Sequence, residues 1–125
     1  MVCDLPRHLT EAAVAVLDAS DLTVLVLPAE VRATAAGSRV ARQLAERGAT
    51  TAVVVRGPSP GGLTGEDVAQ ALGLEVLISV EAEPGLAPAL DRGSVPGVRR
   101  GPLARAAAAV LDALGHQRGG RPAAA

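Results

Sequence analysis

The chain has 125 residues, 49% of them hydrophobic, and a formal net charge of −1. This size is typical of one small domain with its own core, and the near-neutral charge does not favour nucleic acid or an anionic membrane as a partner. The sequence shows neither a transmembrane stretch nor a signal-peptide pattern, and it contains a single cysteine, Cys3. We therefore expect a cytoplasmic protein.

Lysine, asparagine and all three aromatic residues are missing from the sequence. A core without rings has to be filled by valine, leucine and alanine, which suits close packing of helices on a sheet. The absence of lysine excludes, within this chain, a Schiff-base lysine, a lysine general base and the lysine of a P-loop.

Three apolar runs have the length of β-strands. They are 22–27 (LTVLVL), 51–55 (TAVVV) and 75–80 (EVLISV). Each run is continuously apolar rather than alternating, which is typical of strands that are covered on both faces. We also expect Val2 and Cys3 to be the end of a buried strand, because an apolar run there stops at Asp4 and turns at Pro6.

Four segments around these runs have helical periodicity. They cover about 10–19, 33–47, 64–72 and 86–92. Thr10 predicts an N-cap, Thr64 and Asp67 predict a variant of the capping box, and Gly48 and Gly93 predict helix ends.

A last helix is predicted from Pro102 to just before Gly115, with proline in the first turn and glycine past the end. Its expected buried stripe is Leu103, Ala106, Ala107, Val110, Leu111 and Leu114. The remainder, 116–125, is rich in glycine, arginine and proline, so we expect a disordered tail. This division gives one domain over 1–115 and a tail over 116–125.

Strands that alternate with helices predict a parallel α/β sheet, in which ligands bind at the carboxyl ends of the strands. The strand ends carry Asp4, the segment 28–30, the loop 56–62 and the segment 81–84. Three acids and Arg56 at one edge would suit a phosphate ester with its metal, because carboxylates hold hydrated Mg²⁺ and guanidinium binds phosphate oxygens.

Four motifs follow one another along the chain: VCDLP at 2–6, ASDLTVLVLPAE at 19–30, AVVVRGPSPGGL at 52–63 and ALGLEVLISVEAEPGLAPALDRG at 71–93. In order and spacing they resemble the second half of a MinD/ParA-type P-loop ATPase, and are most similar to the CpaE-like septum site-determining proteins. The resemblance covers about residues 2–114. It implies part of a parallel P-loop sheet, of three to four strands, with helices on both faces.

The resemblance also implies site residues. Asp4 matches the Walker B aspartate, which holds the Mg²⁺ of the nucleotide through water, and Pro6 matches the proline of the switch segment that follows. Arg56, Gly57 and Pro58 fall where the family reads the base with an asparagine. Glu83 falls in a segment that borders the base and usually reads Pro-x-Asp.

The sequence departs from the family pattern in three ways. It has no asparagine, and Glu81 stands where proline is usual, so the basis for purine selectivity is altered. The amino-terminal half of the family, with its glycine-rich loop and lysines, has no counterpart in the chain. We therefore expect a fragment or a misplaced start, with ATP and Mg²⁺ as cofactors of the intact parent and none for this chain alone.

The resemblance implies the C-terminal portion of an ATP-binding protein that positions a septum site or secretion apparatus. Its expected partners are the missing amino-terminal half and, in the parent, a second copy. The alternative is a non-catalytic α/β module that binds a protein partner; a receiver domain is a third option, disfavoured by the missing lysine. No catalytic residue is assigned, and whether the parent is an ATPase stays open.

Simpler readings of the same residues remain. Asp4 can cap a turn before the Thr10 helix, the loop 56–62 can be a turn set by its prolines and glycines, and Glu83 can be an ordinary rim charge. Cys3 is expected to be a small buried hydrophobic residue rather than a nucleophile.

Overall fold

The computed structural model describes residues 1–95 and 99–120. Its elements are α1 (Glu11–Ala19), β1 (Thr23–Pro28), α2 (Val31–Glu46), β2 (Thr51–Arg56), α3 (Gly65–Leu72), β3 (Val76–Val80), α4 (Leu86–Asp91) and α5 (Pro102–Gly119). The three strands expected from the continuous apolar runs are confirmed, each within a residue of its expected ends.

The strands form one parallel sheet in the order β1-β2-β3. Thr23 lies opposite Thr51, and Val53 lies opposite Val76, with a register irregularity between Val53 and Val54. Parallel neighbours need a crossover, and here each crossover contains a helix, α2 or α3. The predicted α/β class with a small parallel sheet is therefore confirmed.

The core is centred on β2. Val53 and Val55 are fully buried against Leu27 of β1 and Val68 of α3. Ala52 and Val54 point to the opposite face, because side chains alternate along a strand, and both are also buried. Both faces of β2 are thus covered, as the continuously apolar sequence predicted; α2 and α3 pack together beside one face, and α5 packs against β3.

The amino-terminal segment differs from the prediction. Residues 1–10 lie outside any helix or strand, so the strand expected at Val2 and Cys3 is not formed. Val2 is almost fully exposed, and Cys3 is exposed rather than buried. Two residues cannot make a ladder without a neighbouring strand, and β1 pairs with β2 but not with this segment.

The helix boundaries agree at their starts and differ at one end. The Thr10 hydroxyl accepts a hydrogen bond from the Ala13 N–H at 3.2 Å, which confirms its role as an N-cap. By contrast, α5 continues through Gly115 to Gly119, so residues 116–119 of the expected tail are helical. Gly115 is not among the glycines with positive φ, the conformation in which glycine commonly ends a helix. Residues 121–125 lie outside the described part of the chain.

The apolar stripe expected on α5 is only partly buried. Ala106, Val110 and Leu114 are half-buried, but Leu103 is 39% exposed and Leu111 is 65% exposed. Ala107 is exposed as well. The sheet has only three strands, so it offers too little surface to cover the whole stripe.

The capping box of α3 is formed as predicted. The Asp67 carboxylate accepts hydrogen bonds from the Thr64 N–H at 2.8 Å and from the Thr64 hydroxyl at 2.9 Å. In return, the Asp67 N–H donates to the Thr64 hydroxyl at 3.2 Å. Hydrogen bonds to the ionised form favour it, so the backbone N–H and then the hydroxyl of Thr64 lower the pKa of Asp67 from its ordinary value of 3.8.

This lowered pKa predicts an acid dependence of stability. Because the folded pKa of Asp67 lies below the unfolded pKa, the contribution of the carboxylate is complete above the unfolded pKa and is lost as pH falls through the folded pKa. We expect the melting temperature of Asp67→Asn to change less than that of the parent chain as pH is lowered through and below about 4. The measurement is a series of thermal melts followed by circular dichroism.

Glu66→Gln is the matched control, because Glu66 is an exposed acid in the same first turn but takes no part in the capping box. The control should keep the acid dependence of the parent chain. Equal flattening in both variants would show that general charge, not the capping box, sets the dependence.

One edge of the sheet is open. The N–H of Thr23 donates to Thr50 and the N–H of Ala29 donates to Arg56, so odd-numbered residues of β1 turn their backbone groups toward β2. The N–H and C=O groups of Val24 and Val26 therefore point away from β2, where the described residues form no further strand. Such an edge is a template for another chain, and lysine, a common guard residue, is absent.

The side chain of Val26 adds apolar surface to this edge, since it is 62% exposed. We expect the 125-residue chain to self-associate through β1, and Val26→Lys to reduce the association at least severalfold without lowering the melting temperature. Sedimentation velocity over a concentration series measures the effect.

Val31→Lys is the control for added charge, because Val31 is 71% exposed but lies on α2 rather than on an edge. It should leave self-association unchanged. A monomeric parent chain with slowly exchanging amides at Val24 and Val26 would contradict the open-edge interpretation.

Candidate functional site

The carboxyl edge of the sheet brings three loops side by side. The N–H of Ala29 donates to the Arg56 carbonyl at 3.0 Å, and the N–H of Gly57 donates to the Val80 carbonyl at 2.9 Å. These two bonds continue the sheet beyond the strands and align the three loop starts. We refer to residues 28–30, 56–60 and 81–85 as the rim.

Arg56 stands in the middle of the rim, as the last residue of the central strand. Its side chain is exposed, and within residues 1–95 and 99–120 it has no hydrogen bond or ion pair. Gly57 lies close to Ala29, and the peptide bond between Gly57 and Pro58 is cis. Sequence reasoning placed these three residues together, and the structure puts them at the rim with the guanidinium available to a ligand.

Glu83 lies in the rim but already has a partner. Its Oε2 accepts a hydrogen bond from the N–H of Leu103, in the first turn of α5, at 2.9 Å. The N-cap of α5 is Gly101, which has no side chain to cap the helix. A carboxylate near a helix N-terminus satisfies a free N–H group and interacts favourably with the helix dipole.

Sequence reasoning missed this contact between Glu83 and α5. The two residues are separated by 20 positions, and the capping rules apply to residues within one turn of the helix start. The only signal in the sequence was a Gly-Pro helix start that has no capping side chain of its own.

Asp4, the predicted metal ligand, lies exposed in the irregular amino-terminal segment. Groups of three or more His, Cys, Asp and Glu side chains that could hold a metal ion are absent from the described part of the chain. Asp4 is therefore not part of such a group. Mg²⁺ in nucleotide sites is usually held by one or two carboxylates together with the phosphates.

Two clefts lie away from the rim. One, of about 420 Å³, is at the opposite end of the sheet, between Asp18, Asp21, Arg47 and His116. The other, of about 280 Å³, lies between α2 and α3 and includes Thr34, whose buried hydroxyl has no hydrogen-bond partner. Neither cleft is lined by residues of the rim. As for membrane spans, the helices in 1–95 and 99–120 are all too short or too polar to cross a bilayer.

The architecture matches that of a solved structure. The chain superposes on the MinD cell division protein of Aquifex aeolicus with a TM-score of 0.65 and 21% sequence identity. The match covers 90% of this chain and 50% of the MinD chain. The protein therefore has a MinD-like α/β fold over about half of the MinD length.

The sequence is also similar to curated proteins of Mycobacterium tuberculosis. It is 48% identical over 121 residues to "Uncharacterized protein MT3760" of strain CDC 1551 / Oshkosh and equally to "Uncharacterized protein Rv3660c" of strain H37Rv. The match covers 97% of this chain but 35% of each relative, so the chain spans about a third of their length. No protein-family model matches the chain.

Proposed function

We propose that this chain is the base-side portion of a MinD/ParA-like nucleotide-binding domain and that it works together with polypeptide outside these 125 residues. The observation that carries the proposal is the rim. On a MinD-like fold, three strand-end loops lie side by side with the unpaired Arg56 at their centre. In open parallel sheets, ligands bind at this edge.

Each rim residue has a role in the proposal. Gly57 and Pro58 provide a backbone surface against which a planar base can lie, and Arg56 provides hydrogen-bond donors. Glu83 holds the neighbouring loop in place through α5. Asp4 contributes one carboxylate toward the Mg²⁺ of the nucleotide, and the remaining ligands come from the phosphates, water and the rest of the domain.

The phosphate-binding part must come from elsewhere in this proposal. Phosphates are bound by backbone N–H groups of a glycine-rich loop at a helix N-terminus, usually with a lysine, and this chain contains no lysine. The chain covers half of the MinD structure and about a third of its relatives. A further strand beside Val24 and Val26 would close the open edge of β1 and bring the rest of the domain next to the rim.

At a finer level, we propose that the whole protein is a cytoplasmic CpaE-like ATP-binding protein that places a septum site or secretion apparatus. Nucleotide-dependent pairing of two copies would be the basis of that activity. The similarity of the fold to a cell division protein and the order of the motifs support this assignment.

The second candidate is a non-catalytic module that binds a protein partner. Two observations favour it for the chain as it stands: the absence of lysine and the open apolar edge at β1. The two candidates differ in one respect, namely whether a nucleotide binds at the rim once the rest of the protein is present.

The first prediction of the proposed function concerns the isolated chain. Residues 1–125 should not bind Mg-ATP in isothermal titration, because the single carboxylate of Asp4 cannot replace a phosphate loop. The longer mycobacterial relative, titrated in parallel, should bind. Low-micromolar, Mg-dependent binding by the isolated chain would overturn the division of the site, and no binding by either protein would favour the interaction module.

The second prediction concerns Arg56. In the whole protein of the proposal, Arg56→Ala should weaken nucleotide binding about tenfold, the effect of losing roughly 1.4 kcal/mol of charged hydrogen bonding. The melting temperature should hardly change, since the side chain is exposed and without a partner in the described chain.

Arg42, exposed on α2 away from the rim, serves as the control, and Arg42→Ala in the same protein should have no effect on binding. Loss of stability with unchanged nucleotide affinity for the Arg56 variant would assign the loop a purely structural role.

A further inference from the structure

The carboxyl-terminal helix α5 packs against the sheet with little apolar burial. It is the longest helix of the described chain, with 18 residues, yet its only buried residue is Pro102. Leu103 and Leu111 are exposed, and the other apolar residues of the stripe are at best half-buried. Apolar burial therefore contributes less to holding α5 than it does for α2, which buries Ala41 and Leu44.

Polar contacts occur at both ends of α5. At the start, the Glu83 carboxylate accepts the Leu103 N–H at 2.9 Å. At the end, Arg118 lies 3.3 Å from Asp21, in the turn that leads into β1. Glu83 belongs to the rim at the carboxyl edge of the sheet, whereas Asp21 lies at the amino edge, so α5 runs along the sheet and is fastened at both edges.

The two polar contacts at the ends of α5 differ in strength. The Arg118 and Asp21 side chains are 71% and 35% exposed, and ion pairs of this kind contribute little. Glu83 is half-buried and interacts with the helix dipole as well as with an N–H group. Gly101 lies against the Glu83 carboxylate. A Cβ at Gly101 would lie 2.6 Å from Glu83 Oε1, and the Gly101 φ of +109° favours glycine.

We propose that α5 is a detachable strap and that Glu83 is the latch that holds it to the rim. When the latch opens, α5 leaves β3 as a unit while β1 and β2 keep their pairing. Glu83 thereby acts as a positioning residue that couples the rim to a helix ending at the opposite edge of the sheet. Elements with few buried apolar contacts open locally at a lower free energy than the core. The opening of α5 does not require a nucleotide at the rim.

Amide hydrogen exchange of the 125-residue chain, resolved by residue, tests the proposal. Amides in the middle of α5, from about 107 to 114, should exchange faster than those of Val53 and Val55 in β2. Glu83→Ala should speed exchange of the Leu103 and α5 amides about fivefold, the usual effect of losing a helix cap, and should leave β2 unchanged. Glu83→Gln, which keeps an acceptor oxygen, should restore part of the protection.

Glu81→Ala is the matched control, because it removes an exposed carboxylate from the same loop and should leave α5 exchange as in the parent chain. Arg118→Ala should change it less than twofold. Equal exchange of α5 and β2 amides, or equal effects of Glu83→Ala and Glu81→Ala, would overturn the proposal.

A double-mutant cycle with Gly101 provides a second, independent readout. Gly101→Ala introduces backbone strain in any background, but its Cβ collides with Glu83 only when that carboxylate is present. Gly101→Ala should therefore destabilise the Glu83→Ala variant less than the parent chain. Additive effects would mean that Glu83 does not occupy the latch position in solution, whether or not the rim binds a nucleotide.

Discussion

The burial of β2 on both faces is the constraint on which the rest of the structure depends. Val53 and Val55 pack toward α2 and α3, while Ala52 and Val54 fill the other face. Fully burying one valine side chain stabilises a fold by about 1.5–3 kcal/mol. This chain has no aromatic residue that could add buried apolar area to the core. Because β2 is central, its last residue, Arg56, is brought to the middle of the carboxyl edge.

Both outer strands have a side without a neighbouring strand in the described structure. α5 packs against β3, and the backbone groups of Val24 and Val26 lie on the outer side of β1. A three-stranded parallel sheet is small for an α/β domain, and the longer proteins that match this chain provide additional polypeptide. The open edge of β1 and the length of the relatives therefore both support the proposal that further polypeptide joins this unit at β1.

Local signals in the sequence predicted most of this fold. Continuous apolar runs identified the three strands, and threonine caps at Thr10 and Thr64 identified the starts of α1 and α3. These features depend on residues within one turn or one strand of each other, so they can be read without knowledge of the tertiary structure.

The structural features that were not predicted from the sequence have a common physical origin. The end of α5, the exposure of Cys3 and the engagement of Glu83 all depend on residues that are distant in sequence. Gly115 has the residue type of a helix stop, but the helix continues to Arg118, which reaches Asp21. Cys3 has an apolar neighbour but no strand to pair with. Composition identifies what such residues can do, and the tertiary contacts decide which of those possibilities is realised.

The charges of the rim indicate which part of a ligand it would meet. Glu83 is engaged with α5, so the remaining charged side chains are Arg56 and the exposed Glu30 and Glu81. One cation between two carboxylates does not create the positive potential that would attract a triphosphate. Such a surface is better suited to an uncharged, hydrogen-bonding group such as a nucleobase, for which Arg56 provides donors and the carboxylates provide acceptors. The charges of the rim thus support, independently of the missing lysine, the proposal of a base-side site with its phosphate-binding part beyond the open edge of β1.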